Sequence, residues 1–359
     1  MSGRALLYGA TGYTGREVAR RLAEAGTDLV LAGRDSERVR GVAEPLGLAW
    51  TAFDLASSHR MEKALADVDV VLHSAGPFEQ TAGPMIGACI ATGTHYLDLS
   101  GEWPAFVDAM ACDAAACAAE VMVMPGVGLT IVATDCLLAL AMLRQPEAVR
   151  LRLGVSKPQV ITRGTVVSAA KLLSPQVIVR RKGQLVTVPG GSLTRAFDFG
   201  DGLREATAMS WPDVATGEVT TGVGDIEVYS ELDWPGRVSY RASSLAMAAT
   251  GARPWRAIGG ALAAAWPEGP TADMRRRAGF VMVVEAEDPW RRVSRLRMRT
   301  LDGYTVSVLT AAAAVQRVLA GDWTAGFQTP ARGFGAEFIL DLGCAALDGQ
   351  SQGMEGEAA

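Results

Sequence analysis

The sequence predicts an α/β fold, a doubly wound parallel sheet joined to a second α+β domain, and three observations carry that expectation. Short apolar runs alternate with amphipathic helical stretches through the early part of the chain. The first run passes through a glycine turn into a helix, Gly9-Ala10-Thr11-Gly12-Tyr13-Thr14-Gly15-Arg16. At 359 residues the chain is too long for a single core, and after Pro146 the alternation gives way to short strands with few crossovers.

The first strand is Ala5-Leu6-Leu7-Tyr8, and the helix after the turn carries Val18, Ala19, Leu22 and Ala25 on one face before Gly26 stops it. Strand, glycine turn and helix form the context in which a G-x-x-G-x-x-G spacing binds a dinucleotide. In that role Gly9 turns the chain, Gly12 lets backbone approach a pyrophosphate, and Gly15 lets the helix pack closely, with Thr11, Tyr13 and Thr14 in the same turn. A second strand ends at Arg34, where an arginine suits the 2′-phosphate of NADP, and Asp35 stands within reach of a ribose. The third strand, Trp50-Thr51-Ala52-Phe53, leads to Asp54 and Leu55, which either flank an adenine or, for Asp54, cap the helix from His59 onward.

A fourth strand ends at His73 and runs into Ser74, Ala75 and Gly76, a small-residue loop placed to touch the cofactor because ligands bind outside the carboxyl ends of parallel strands. A helix over 83–92 crosses to a fifth strand whose end carries Asp98, Ser100 and Glu102. Trp103-Pro104 opens another helix, since proline fits a first turn, and Val121-Met122-Val123-Met124 makes a sixth strand.

Composition narrows the function classes. Hydrophobic residues are 49% and charged residues 20%, a globular profile, and the net charge of −5 argues against nucleic acid as a partner. The chain opens on a strand and contains no apolar run of about eighteen residues, so neither a signal peptide nor an integral membrane segment is expected, and the compartment is cytoplasmic. Cys89, Cys112, Cys117, Cys136 and Cys344 lack C-x-x-C spacing and read as reduced core residues, while His59, His73 and His95 lack metal-ligand spacing, so no metal is expected.

In the second domain a linking helix covers 130–143, Leu151 to Val155 and Ile226 to Tyr229 alternate as strands, and 163–173 and 257–266 read as helices. The glycine-rich stretch 190–213 reads as a long loop. Strands are expected over Val281 to Glu287 and Val293 to Thr300, then an Asp302-Gly303 hairpin into a third strand over 304–308, and a helix over 311–319. Arg295, Arg297 and Arg299 share one strand face; they either bind an anion or pair with Glu285 and Glu287 on the preceding strand.

Three segments together resemble a known family. Gly9 to Arg16, Ala75-Gly76-Pro77-Phe78, and Gly93-Thr94-His95-Tyr96-Leu97-Asp98-Leu99-Ser100-Gly101-Glu102 look like the Rossmann-type NADP-binding domain of saccharopine dehydrogenase-like oxidoreductases. Within that family the chain is most similar to the trans-acting enoyl reductase branch, and Gly326-Phe327-Gln328-Thr329-Pro330-Ala331-Arg332-Gly333-Phe334-Gly335 resembles that branch's closing segment. The resemblance implies an NADP-binding domain over 1–128, a substrate and dimerisation domain over 129–320 and a segment 321–348 returning to the first domain, while the polar composition of 349–359 reads as a disordered tail. It implies an NADPH-dependent reductase of a conjugated C=C or C=N bond, acting on a small-molecule or acyl-type substrate, with a homodimer as the candidate assembly. The alternatives are a saccharopine-type amino-acid dehydrogenase and a non-catalytic NADP-binding module.

A reductase needs a proton source beside the hydride acceptor. None of the six tyrosines has a lysine four residues later, which excludes the Tyr-x-x-x-Lys pair of short-chain reductases. Lysine occurs only at 63, 157, 171 and 182. His73, Asp98, Ser100 and Glu102, which the strand order brings to the crevice, are the remaining candidates.

Overall fold

The computed structural model describes residues 3–157, 176–232, 237, 240–241 and 278–348. Two units account for the chain, Met1–Ala133 with Tyr304–Leu342, and Thr134–Gly303 with Gly343–Ala359. The first unit is therefore discontinuous, and the chain re-enters it at Tyr304, ahead of the boundary at 321 read from the sequence.

The first unit is built on seven parallel strands: β1 (Arg4–Tyr8), β2 (Asp28–Gly33), β3 (Ala49–Ala52), β4 (Val70–His73), β5 (His95–Asp98), β6 (Met122–Met124) and the late strand β15 (Gly326–Phe327). Their order is β15-β6-β5-β4-β1-β2-β3. Ala5, Leu6, Leu7 and Tyr8 are all buried because a central strand is covered on both faces, whereas the edge strand β3 leaves Trp50 partly exposed. The chain fills one side of β1 with β2 and β3 and then crosses to β4, so the order reverses between β1 and β4, and a crevice opens there at the carboxyl ends. Register sets Tyr8 beside His73 and His73 beside Asp98 at that edge.

Helix α1 (Tyr13–Glu24) buries Gly15, Val18, Ala19 and Leu22, while Ala25 is its C-cap and is exposed rather than part of the apolar stripe. Helices α2 (Ser36–Ala43), α3 (Ser58–Leu65), α4 (Phe78–Thr92), α5 (Trp103–Ala111) and α6 (Asp113–Ala118) follow. α4 begins five residues before the boundary read at 83, with Pro84 inside it. Gly83 and Pro84 lie on its exposed side, where water can satisfy the carbonyl that proline leaves without a donor. Helix α7 (Leu129–Arg144) follows β6.

The second unit contains a nine-stranded mixed sheet. Its strands are β7 (Arg150–Val155), β8 (Gln176–Arg181), β9 (Gln184–Pro189), β10 (Thr194–Asp198), β11 (Leu203–Ala208), β12 (Ile226–Glu231), β13 (Val281–Glu287), β14 (Val293–Thr300) and β16 (Ala345–Leu347). Only β7 and β12 pair in parallel; the other described pairs are antiparallel. Phe197, Phe199, Tyr229 and Tyr240 anchor its core.

Two expectations fail here. The stretch 190–213 is not a loop: β10 and β11 form a hairpin within it. Gly200 and Gly202, at positive φ, let the chain reverse, and Asp198 Oδ1 accepts from both their N–H groups. The same glycines had suggested loop. The segment 304–308 is not a strand: it lies in the helix Gly303–Leu319. Tyr304, Val306 and Val308 alternate by chance, but Val306, Thr310, Ala314 and Val318 are buried at a four-residue spacing that continues through the alanine run. β14 pairs instead with β16.

Among the cysteines, Cys89, Cys136 and Cys344 are buried, but Cys112 is half-buried and Cys117 exposed, so the core reading fails for those two. The helices read at 163–173 and 257–266 and the tail 349–359 lie outside the described residues.

Candidate functional site

The glycine turn assigns a separate physical task to each of its three glycines. Gly9 has φ +94°, and a Cβ there would stand 2.7 Å from Ser74 Oγ and 2.9 Å from the Ala75 backbone nitrogen. A Cβ at Gly15 would stand 2.4 Å from the Gly9 carbonyl oxygen. Both positions are closed by the protein itself. A Cβ at Gly12, however, would meet only the Gly9 carbonyl, at 3.4 Å, so the fold itself leaves room for a side chain there. Gly12 is the N-cap of α1 and supplies no side-chain cap, and no acid stands in the first turn. An uncapped helix N-terminus behind open space fits a pyrophosphate. Tyr13 packs edge-on against Tyr304, with ring centroids 5.1 Å apart.

At the carboxyl end of β2, Arg34 is exposed just past the strand, and Asp35 is committed to α2, its Oδ1 accepting from the Arg38 N–H at 3.1 Å. A cleft of about 430 Å³ beside the turn is lined by Thr11, Arg16, Arg20 and Arg38, among others. Arg20 pairs with Glu17 at 2.8 Å; Arg16, Arg34 and Arg38 have no acid partner among the described residues. Two unpaired guanidinium groups in one cleft, with exposed Arg34 just past the neighbouring strand, suit an anion such as a 2′-phosphate. Arg16 and Arg38 were missed by sequence reasoning, although Arg38 is recoverable as the residue one helical turn beyond Arg34.

Asp54 does not cap α3. Its Oδ1 accepts from the Ala56 N–H at 2.8 Å in a local turn, and the N-cap is Ser57. That removes the capping alternative and leaves Asp54 exposed beside half-buried Leu55. The Tyr8 hydroxyl holds this loop by donating to the Phe53 carbonyl at 3.1 Å; burial and the nearby Asp54 push its pKa up to about 12, against the opposing pull of Arg34.

In the loop after β4, the Ser74 N–H and hydroxyl both donate to the Tyr8 carbonyl, at 2.8 and 3.1 Å, which ties the loop to β1. The Ala75 carbonyl accepts from the Thr81 hydroxyl at 2.9 Å and lies 3.1 Å from His73 Nε2. A Cβ at Gly76 would make only ordinary contact with Phe78.

The four proton-donor candidates come together at this edge in unlike environments. Asp98 is fully buried: Oδ1 accepts from the Ser100 and Gly126 N–H groups at 2.8 and 2.7 Å, and Oδ2 lies in hydrogen-bond contact with the Tyr96 hydroxyl at 2.7 Å. Burial raises its pKa to about 6, although those hydrogen bonds pull the other way. His73 is equally buried, and desolvation lowers its pKa to about 4. The Ser100 hydroxyl accepts from the Glu102 N–H at 3.3 Å and is buried. Glu102 is half-buried, with Oε2 accepting from the Glu79 N–H at the start of α4, 3.2 Å away. Only Glu102 has a side chain that a small molecule could reach.

Residues 5–124 match the family described as the saccharopine dehydrogenase NADP binding domain, and the cofactor read from Arg34 is the one that description names. A trans-acting enoyl reductase from Mycobacterium tuberculosis is 40% identical over 104 residues, 27% of this chain and 25% of the relative. One from Mycobacterium leprae is 39% identical over the same shares. The chain thus spans about a quarter of the length of the curated relatives it matches. Among solved structures, apo saccharopine dehydrogenase (L-Glu forming) from Saccharomyces cerevisiae aligns over 94% of this chain and 96% of its own, with TM-score 0.61 and 13% identity. Homospermidine synthase from Legionella pneumophila, solved with NAD, aligns over 95% and 89%, with TM-score 0.64 and 8% identity. At such identities the likeness is one of fold.

Proposed function

We propose that the protein is an NADPH-dependent reductase that transfers hydride to a conjugated C=C bond of an acyl-type substrate, or to a C=N bond. The observation that carries the reading is the open space at Gly12 over the uncapped N-terminus of α1, with Arg16 and Arg38 lining the adjacent cleft and Arg34 exposed just past β2. The enoyl acceptor is favoured by the 40% identity to a trans-acting enoyl reductase over 104 residues. A saccharopine-type substrate, with several carboxylates, needs free cations, and the arginines of the second sheet are engaged elsewhere. Arg150 pairs with Asp225, Arg152 with Glu287, Arg295 with Glu285, and Arg297 and Arg299 with Asp348. The anion reading of that strand weakens for the same reason, and Glu287 serves Arg150 and Arg152 of β7 rather than β14.

Bound NADPH would supply the hydride. The N–H groups of α1 would hold the pyrophosphate, Arg34 with Arg38 and Arg16 the 2′-phosphate, and Ser74 to Gly76 the nicotinamide side. Glu102 is assigned proton delivery, because Asp98 and His73 are enclosed by protein. Glu102→Gln is expected to leave NADPH affinity within a few fold and to lower turnover on an enoyl thioester by about a hundredfold. Unchanged turnover would pass the proton step to water.

NADPH is expected to bind more tightly than NADH. One charge-assisted pair at a partly exposed site contributes about 1.5 to 3 kcal/mol, roughly ten- to a hundredfold in affinity. Titrating both cofactors against native protein, Arg34→Ala and Arg38→Ala tests this: each variant should lose affinity for NADPH and not for NADH. Equal native affinities would exclude a 2′-phosphate site.

A further inference from the structure

Three buried side chains at the carboxyl edge of the first sheet touch in a row. His73 Nε2 lies 3.1 Å from the Ala75 carbonyl oxygen, His73 Nδ1 lies 3.2 Å from the Tyr96 hydroxyl, and that hydroxyl lies 2.7 Å from Asp98 Oδ2. Each contact is a hydrogen bond only if a proton stands between its two atoms, so the row needs three. A carbonyl cannot donate, so Nε2 must carry the first. A neutral imidazole then has a lone pair on Nδ1, and the second contact takes the tyrosine's only proton. The Tyr96 oxygen is left as an acceptor toward Asp98, and the third proton has to sit on the carboxyl. Neutral histidine, tyrosine and an ionised aspartate supply two protons, one too few.

An imidazolium facing a carboxylate also totals three, but it buries two charges where the carboxylic acid form buries none. Oδ1 already accepts from two backbone N–H groups, which directs the proton to Oδ2.

We infer that Tyr96 is a positioning residue that joins Asp98 and His73 into one unit holding a single exchangeable proton, whose presence decides which ring nitrogen of His73 is protonated and so whether Nε2 donates to the Ala75 carbonyl. When the proton leaves Asp98, the Tyr96 hydroxyl turns to the carboxylate. The His73 proton then moves from Nε2 to Nδ1, where it meets the Tyr96 oxygen, and a bare Nε2 is set against the Ala75 oxygen. Ala75 belongs to the loop tied to Tyr8 through Ser74, so the proton is linked to the backbone at that loop.

The groups facing the row are few. Glu102 adds negative potential at Asp98, the buried Cys89 thiol near Tyr96 is held neutral by desolvation, and the rings of Tyr8 and Phe78 pack on His73 with centroids 5.6 and 5.3 Å away. Burial holds His73 down to about 4 and Asp98 up to about 6, the directions that keep the histidine neutral and put the proton on the acid.

Asp98→Asn copies the protonated acid: its amide N–H can donate to the Tyr96 oxygen while its carbonyl keeps both backbone donors. The test follows the ring nitrogens of His73 by nitrogen-15 NMR from pH 5 to 8 in the whole chain without cofactor, so its outcome is independent of the reductase reading. In native protein the Nε2–H tautomer should prevail at low pH and its population should fall with a midpoint near 6, without an imidazolium signal. In Asp98→Asn the tautomer should stay Nε2–H throughout, and in Tyr96→Phe the dependence on Asp98 should disappear. If Tyr96→Phe fails to fold, the isosteric Asp98→Asn decides alone. An ordinary imidazolium titration in native protein, or the same pH response in Asp98→Asn, would overturn the proposal.

Discussion

Gly12→Val is expected to abolish NADPH binding, a loss of at least about a hundredfold in affinity, while the first unit keeps its fold. Gly12 has φ −73° and ψ 165°, extended backbone that valine adopts readily, and the nearest atom a Cβ would meet is the Gly9 carbonyl at 3.4 Å. The added methyl groups would therefore occupy the space assigned to the pyrophosphate without striking the core. Gly15→Val is the contrasting variant. Its Cβ would stand 2.4 Å from the Gly9 oxygen and 3.1 Å from the Ala10 Cα, both backbone atoms that cannot rotate away, so it should cost about 3 kcal/mol or more in stability. Calorimetric titration with NADPH, run beside thermal melts followed by circular dichroism, separates the two. Native NADPH affinity in folded Gly12→Val would reduce the glycine loop to a turn.

Asp98→Ala is expected to destabilise the first unit by about 3 kcal/mol or more. Removing the carboxyl group leaves the Ser100 and Gly126 N–H groups without their acceptor and the Tyr96 hydroxyl without its partner, at about 1 to 3 kcal/mol for each buried polar group left unpaired. Asp98→Asn keeps these partners and should keep the stability. The pH dependence follows from the sign of the shift. The folded-state pKa of Asp98 is raised to about 6 from an ordinary 3.8, so its contribution to stability is fully present below about pH 4 and is lost as pH rises through 6. A shift of about two units corresponds to about 3 kcal/mol between pH 4 and 7. Denaturant unfolding across that window should show native protein losing stability relative to Asp98→Asn. Parallel curves for the two would mean that Asp98 folds with an unshifted carboxyl.

Local order was legible wherever it was local chemistry. The turn at Gly9 to Gly15, the strand ends at Arg34, His73 and Asp98, and the apolar runs of β1, β4 and β6 follow from spacing and hydrophobicity that each segment carries within itself. The polarity of β4 and β5 at their carboxyl ends was enough to bring His73, Asp98, Ser100 and Glu102 into one candidate site. Where a local signal had two readings, context chose between them. Gly200 and Gly202 read as loop yet close a hairpin, because Gly154 on β7 leaves room for the Phe197 ring, to which a Cβ there would come within 2.6 Å. The Asp302-Gly303 pair read as a hairpin yet opens a helix, because β14 finds β16 as its neighbour and the alanines of 311–314 continue a buried helical stripe. Division of labour within the site also required three dimensions. Register across β4 and β5 sets His73 beside Asp98, and the hydroxyl of Tyr96, two residues from Asp98 in sequence, joins them; only that contact shows an inward-facing proton unit and leaves Glu102 as the accessible acid. Spacing along a chain can say which groups share a strand end, but which atoms meet, and therefore how many protons they must hold, depends on distances between strands that no single segment encodes.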